Sequence, residues 1–209
     1  MSGQDTAPPG SSDAEAALRA RLDAFMASPP ADDDAFGALA LAVFAHQFGR
    51  DPVYRRFARG RGRTPRTVRN WRDIPAVPIS AFKDLDLGGT PPERAARTFM
   101  TSGTTRAGRR GRIHHPSLDL YDRSMERGFA RFFMRGTAAI PMAVLFPDER
   151  SLPNSSLAHY LGTAMRVFGT PDSRVFLDAD GIDLPGLVAA LRAAEAAGTP
   201  FALLGASYA

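Results

Sequence analysis

The sequence predicts an α/β fold, with N-terminal helices followed by a mainly parallel sheet with crossover helices. Three observations point there. Between residues 13 and 48, apolar side chains recur at helical spacing behind acidic capping residues. After Pro141, short apolar runs alternate with helical patterns, as parallel strands joined by helices do. The chain has 209 residues, 44% hydrophobic and 23% charged, enough to bury a sizeable core.

Residues 1–12 are rich in Gly, Ser and Pro without apolar pattern, and read as a disordered tail; residues 13–209 read as one domain. Asp13 can cap a helix to about Met26, with Leu18, Leu22, Phe25 and Met26 on one face, ended by Ser28-Pro29-Pro30. Asp32, Asp33 and Asp34 open a second helix in the sense that suits its dipole. Its face, Phe36, Leu39, Ala40, Val43 and Phe44, runs to about Phe48 and stops at Gly49. Residues 55–72, "RRFARGRGRTPRTVRNWR", hold eight arginines with Phe57 and Trp71 interleaved. Clustered arginines suit phosphates, but a solvated loop is the simpler expectation in a chain that uses Arg where others use Lys. In "WRDIPAVPISAFKDL", Pro75 and Pro78 impose an extended path. Ile74, Val77, Ile79 and Phe82 make it a partly buried connector that delivers Lys83 to a fixed place.

"ARTFMTSG" reads as a strand entering a loop and "GRIHHP" as a strand leaving it. Ser117 caps a helix to about Met134, with Leu118, Tyr121, Met125, Phe129 and Phe132 at helical spacing. "IPMAVLFP" is a buried strand. "NSSLAHYLGTAMRVFG" is a helix with Leu157, Leu161, Met165 and Phe168 on its face and Gly169 as its stop. "SRVFLDADG" is a strand; "DLPGLVAALRAAEAAG" is a helix with Pro185 in its first turn and Gly198 at its end; "PFALLGASYA" is a strand. Parallel α/β domains bind ligands beyond the carboxyl ends of their strands. Ending just after a strand, the sequence reads as a truncated, incomplete domain.

Composition narrows the chemistry. Cysteine is absent, which excludes disulfides, thiolate metal sites and a thioester on this chain. The four histidines are His46, His114, His115 and His159; none pairs with another at i, i+4, and His46 and His159 read as ordinary structural side chains. Net charge is +4, and of 26 basic residues only Lys83 is lysine. No apolar run reaches membrane-spanning length and no signal peptide precedes the first helix, so a cytoplasmic protein is expected.

The most distinctive stretch is "FMTSGTTRAGRRGR". Gly103 permits positive φ and close backbone approach, and Thr101, Ser102, Thr104 and Thr105 carry hydroxyl donors. Arg109, Arg110 and Arg112 follow closely enough to neutralise an anion. The pattern is not the Walker loop, which needs Gly-Lys-Ser/Thr opening a helix. From residue types alone, a polar hairpin loop and a phosphate-binding loop both remain open.

"TSGTT" resembles the phosphate loop of adenylate-forming enzymes. Around it, "DIPAVPISAFKD", "RIHHPSLDLYDRSM", "LFPDERSLPNSSLAHYL" and "PFALLGASYA" follow an order similar to the acyl-protein synthetases of the LuxE family, over about residues 30–209. The resemblance implies the N-terminal region of an adenylate-forming fold. It implies an enzyme that activates a fatty or related carboxylate with ATP and Mg2+ as acyl-adenylate, then passes the acyl group to a protein thiol. Thr101, Ser102, Gly103, Thr104 and Thr105 would hold phosphates, with Arg106 and Arg109 beside them. Lys83 would offer a further cation, and His114 or His115 would face the adenylate. Asn154, Ser155, Ser156, Ser207 and Tyr208 would shape the substrate region. Implied partners are the carboxylate and an acyl-carrier or reductase protein, with no nucleic acid and no membrane span. Arg106 departs from the family, which has glycine there. A non-catalytic remnant binding ATP or a partner, an acyl-CoA-ligase-like enzyme with another acceptor, and a basic nucleic-acid-binding protein are the alternatives.

Overall fold

The computed structural model describes residues 11–29, 32–101 and 110–206. Of the expected tail 1–12, residues 1–10 lie outside them, while Ser11 and Ser12 already belong to the first helix; the loop residues 102–109, and Ser207 and Tyr208, also lie outside. The chain forms two compact units, one of Met1–Ala96 with Gly111–Leu120, the other of Arg97–Arg110 with Tyr121–Ala209.

The first unit is helical. It contains α1 (Ser11–Ala27), α2 (Asp33–Arg50), α3 (Pro52–Gly60) and the short strand β2 (Arg112–His115), which follows β1 (Arg97–Met100) of the other unit in sequence. Asp32 caps α2, its carboxylate accepting from Ala35 N at 2.7 Å. α3 takes in residues 55–60, the first part of the arginine run expected to be a loop. Asp51 caps it through Val53 N and Tyr54 N, and Pro52 occupies its first turn, where no donor is needed. Tyr54 and Ala58, four residues apart, are buried with Phe44 and Val68, and Phe57 packs on the same cluster. That stripe, masked in the sequence by the surrounding arginines, makes the helix.

The arginines are largely engaged within the unit. The Arg55 guanidinium donates to Phe48 O at 2.8 Å and to Gly49 O, capping the end of α2. Arg61 stacks 3.7 Å from the centre of the Phe57 ring, and Arg72 donates to Asp33 at 2.6 Å. The Pro75–Pro78 connector is not extended throughout: Ile79–Lys83 closes a 3₁₀ turn. Ile74 and Val77 pack on the helical core, but Ile79 is 86% exposed, contrary to the expected apolar connector. The turn carries Ile79 outward once Pro78 has set its entry.

The second unit is built on a three-stranded parallel sheet in the order β4-β3-β7. These are β3 (Met142–Leu145), β4 (Arg174–Val175) and β7 (Ala202–Gly205), with Met142 opposite Ala202 and Val144 opposite Val175. α5 (Ser156–Phe168) connects β3 to β4, and α6 (Leu184–Ala197) precedes β7. Met142 and Val144 are buried with Ala164, Ala158 and Leu161 of α5. Ala143 is buried with Phe176 and with Leu187 of α6. Burial on both faces explains why β3 reads as a continuous apolar run.

Two expectations need correction, and a third is met with a change of helix type. "SRVFLDADG" is not one strand: only Arg174–Val175 ladders with β3, and β5 (Leu177–Asp178) turns back on β6 (Gly181–Ile182) through a bend where Gly181 has φ 114°. The parallel sheet begins at Met142, not near Phe99; β1 stands outside it, its Phe99 ring packed on Tyr121 and His159. The helix starting near Ser117 is α4 (Asp119–Gly128), and it continues to Met134 as a π-helical turn, Phe129–Met134. Ser117 Oγ accepts from Asp119 N at 3.1 Å, as a cap does. Among the described residues, no helix is long and apolar enough to cross a membrane.

Candidate functional site

In the second unit, β1 leads directly to Thr101, the first residue of the Gly/Ser/Thr loop. The strand is held at both ends. Arg97 donates to Glu149 Oε1 at 3.1 Å and to Pro153 O at 2.9 Å, and Met100 N donates to Asn154 O at 2.9 Å. Two segments singled out separately in the sequence, the entry to the loop and the "PNSS" stretch, are therefore hydrogen-bonded neighbours.

The partner segment has its own fixed shape. Asp148 accepts from Ser151 N at 2.9 Å, and Leu152 N donates back to Asp148 O. The backbone N–H and hydroxyl of Ser151 hold the Asp148 carboxyl below its ordinary range. Ser155 caps α5, its Oγ accepting from Ala158 N at 3.2 Å. Of the expected substrate residues, Ser155 thus serves the helix end. Asn154 and Ser156 are exposed, and Tyr121 donates its hydroxyl to Ser156 O at 3.4 Å. Burial pushes the Tyr121 hydroxyl pKa up.

His159, read from the sequence as an ordinary structural side chain, is the centre of a charged cluster that sequence reasoning missed. It is 6% exposed, on the first turn of α5, with carboxylates at both ring nitrogens. Nδ1 lies 2.5 Å from Glu149 Oε1 and Nε2 2.7 Å from Asp122 Oδ1. Phe99 and Tyr121 rings lie 5.6 and 5.8 Å from the imidazole. A neutral imidazole has one donor and one acceptor, so donating to both carboxylates takes both ring protons. Arg97 and His159 then balance Glu149 and Asp122. No local motif announces this, because the four residues are scattered along the chain and meet only in the fold.

In the first unit, Lys83 ends the Ile79–Lys83 turn, half-buried, and β2 packs beside that turn. The candidates Lys83, His114 and His115 therefore belong to adjoining elements. His114 is buried, with Nε2 3.7 Å from Asp86 Oδ1. His115 accepts Ala96 N through its backbone carbonyl at 2.8 Å. Burial, and then the neighbouring His114, push the His115 pKa down, favouring a neutral ring able to accept a proton.

Thr101 is exposed at the end of β1. Ser102, Gly103, Thr104, Thr105, Arg106, Arg109, Ser207 and Tyr208 lie outside the described residues, as does the expected unpaired backbone of the loop. No group of three or more acidic or histidine side chains suited to a metal occurs among the described residues. They therefore supply no dedicated Mg2+ cage. Two clefts of about 720 and 710 Å³ open beside α5 and beside α6 in the second unit, and no sequence-predicted site residue lines either. No family model, no curated protein and no solved structure matches the chain.

Proposed function

We propose that the protein takes part in ATP-dependent activation of a fatty or related carboxylic acid as acyl-adenylate, for transfer to a protein thiol. The observation that carries this reading is the Met100–Asn154 hydrogen bond, which joins the entry of "TSGTT" to the "PNSS" segment. Both segments belong to the motif order that resembles acyl-protein synthetases, and a parallel sheet with crossover helices accompanies them. Carboxylate oxygen attacks the α-phosphorus of ATP, the bond to the bridging oxygen breaks, and pyrophosphate leaves. The chain's part in that step is to hold phosphate oxygens and offset their charge. Backbone N–H groups and hydroxyls from Thr101 to Thr105 would do the first, and Arg106, Arg109 and Lys83 the second. Mg2+ would arrive on the phosphates, since the described side chains offer it no cage.

The test is trapping of the mixed anhydride. With ATP, a panel of carboxylic acids and hydroxylamine, acyl hydroxamate and AMP should form in equal amounts. Lys83→Arg should lower the rate by roughly tenfold, and Lys83→Ala further, because a planar fork cannot settle on one oxygen as an ammonium does. Equal hydroxamate formation by Lys83→Ala and the unaltered protein removes Lys83 from the mechanism. AMP release without any hydroxamate contradicts acyl activation.

A further inference from the structure

We propose that His159 is a positioning residue that acts as an imidazolium clasp, and that its second ring proton fixes where β1 ends and the Gly/Ser/Thr loop begins. Four segments of the second unit converge on this one ring. Asp122 reaches Nε2 from α4, and Glu149 reaches Nδ1 from the segment after β3. Arg97 of β1 shares Glu149 Oε1 and also holds Pro153 O; the ring itself belongs to α5. Tyr121 and Phe99 cover the imidazole and exclude solvent from it. The charged and titratable groups facing the ring are thus Asp122 and Tyr121 from α4, Glu149 from the loop and, through Glu149, Arg97 from β1.

Both nitrogens are engaged by carboxylate oxygens, so the ring is not placed to activate a nucleophile. Its chemistry is to donate twice. If one ring proton is lost while both carboxylates stay ionised, a nitrogen lone pair faces a carboxylate oxygen, and one side of the clasp becomes repulsive. When the Glu149 side yields, Arg97 and the Pro153–Asn154 segment lose their common anchor. The Met100 N–H to Asn154 O bond then opens more readily. Anchoring is complete when both ring nitrogens donate and weakens when one of them does not. None of this requires ATP, so it stands or falls separately from the adenylation reading.

The experiment combines ring-nitrogen NMR of His159 with amide hydrogen exchange at Met100, from about pH 5 to about pH 8. Two proteins are compared, the unaltered chain and Asp122→Asn. In the unaltered chain both ring nitrogens should carry protons at the acid end. As the ring loses one, Met100 exchange should rise roughly tenfold beyond its intrinsic pH dependence, the scale of one charge-assisted hydrogen bond. In Asp122→Asn the new amide can donate to a neutral ring's lone pair, so that excess should disappear while the fold persists. A singly protonated His159 at the acid end overturns the proposal. So does Met100 exchange that follows only its intrinsic pH dependence, or an excess that survives in Asp122→Asn.

Discussion

His159 has carboxylates at both ring nitrogens, one of them shared with Arg97. Removing it by His159→Ala leaves Glu149 and Asp122 facing each other without the cation between them. Both carboxylates are part-exposed and Glu149 keeps Arg97, so the loss is that of two solvent-discounted charge-assisted hydrogen bonds, about 1–3 kcal/mol. The expected outcome is a loss of second-unit stability in urea unfolding, above that of Asp122→Asn; equal losses would mean the ring contributes only volume. His115 makes a different prediction, one of sign. Its pKa is lowered in the folded protein, so the unfolded chain binds more protons in the interval below the ordinary histidine value. Its stabilising contribution is complete above about pH 6.5, the unperturbed value, and is lost as pH falls toward the lowered folded value. Thermal unfolding across that interval should therefore show a destabilising component on acidification. His115→Gln, which cannot titrate, should abolish that component; an unchanged acid slope would contradict the cause assigned to the shift.

At the scale of elements, caps decide where several helices begin and end. Asp51 is 5% exposed and serves three backbone donors, Val53 N, Tyr54 N and Gly88 N. Asp51→Ala should cost about 2 kcal/mol or more, combining the loss of a helix cap with an unsatisfied donor at Gly88. Gly198 ends α6 at φ 61°, its N–H returning to Ala194 O and Glu195 O. Gly198→Ala should cost about 1 kcal/mol through left-handed strain alone. Denaturant midpoints of both variants check this, and a neutral Asp51→Ala would contradict the cap. Capping was also the most legible signal in the sequence. Asp32, Ser117 and Gly198 could be read directly because each acts on residues within a few positions of itself, whereas Ser155 was expected in the substrate region and proves to cap α5. The α3 helix was not legible, since its apolar stripe of buried Tyr54 and Ala58 and half-buried Phe57 is diluted by arginines that cap, stack or pair within the unit. The break between β4 and β5 was missed for a related reason. "RVFLD" has strand propensity throughout, and only the partner backbone decides that pairing with β3 covers Arg174 and Val175. The Arg97–Glu149–His159–Asp122 cluster lies beyond local reading altogether, because tertiary folding assembles it.

For the whole molecule, the account rests on an ordered set of motifs distributed over two compact units. The second unit provides a parallel sheet and a tethered entry to the Gly/Ser/Thr loop; the first provides the lone lysine and a histidine pair on adjoining elements. The basic excess of +4 is mostly arginine, much of it in the first unit committed to carbonyls, rings and carboxylates. The central claim is carboxylate activation, and acid-dependent exchange of labelled pyrophosphate into ATP measures it most directly. The protein should catalyse exchange only when a suitable fatty or related carboxylic acid is present, and Arg97→Ala, which removes the donor to Pro153 O and Glu149 beside β1, should reduce the rate. Absence of exchange with every acid tested, or exchange that proceeds equally without any acid, would contradict the account.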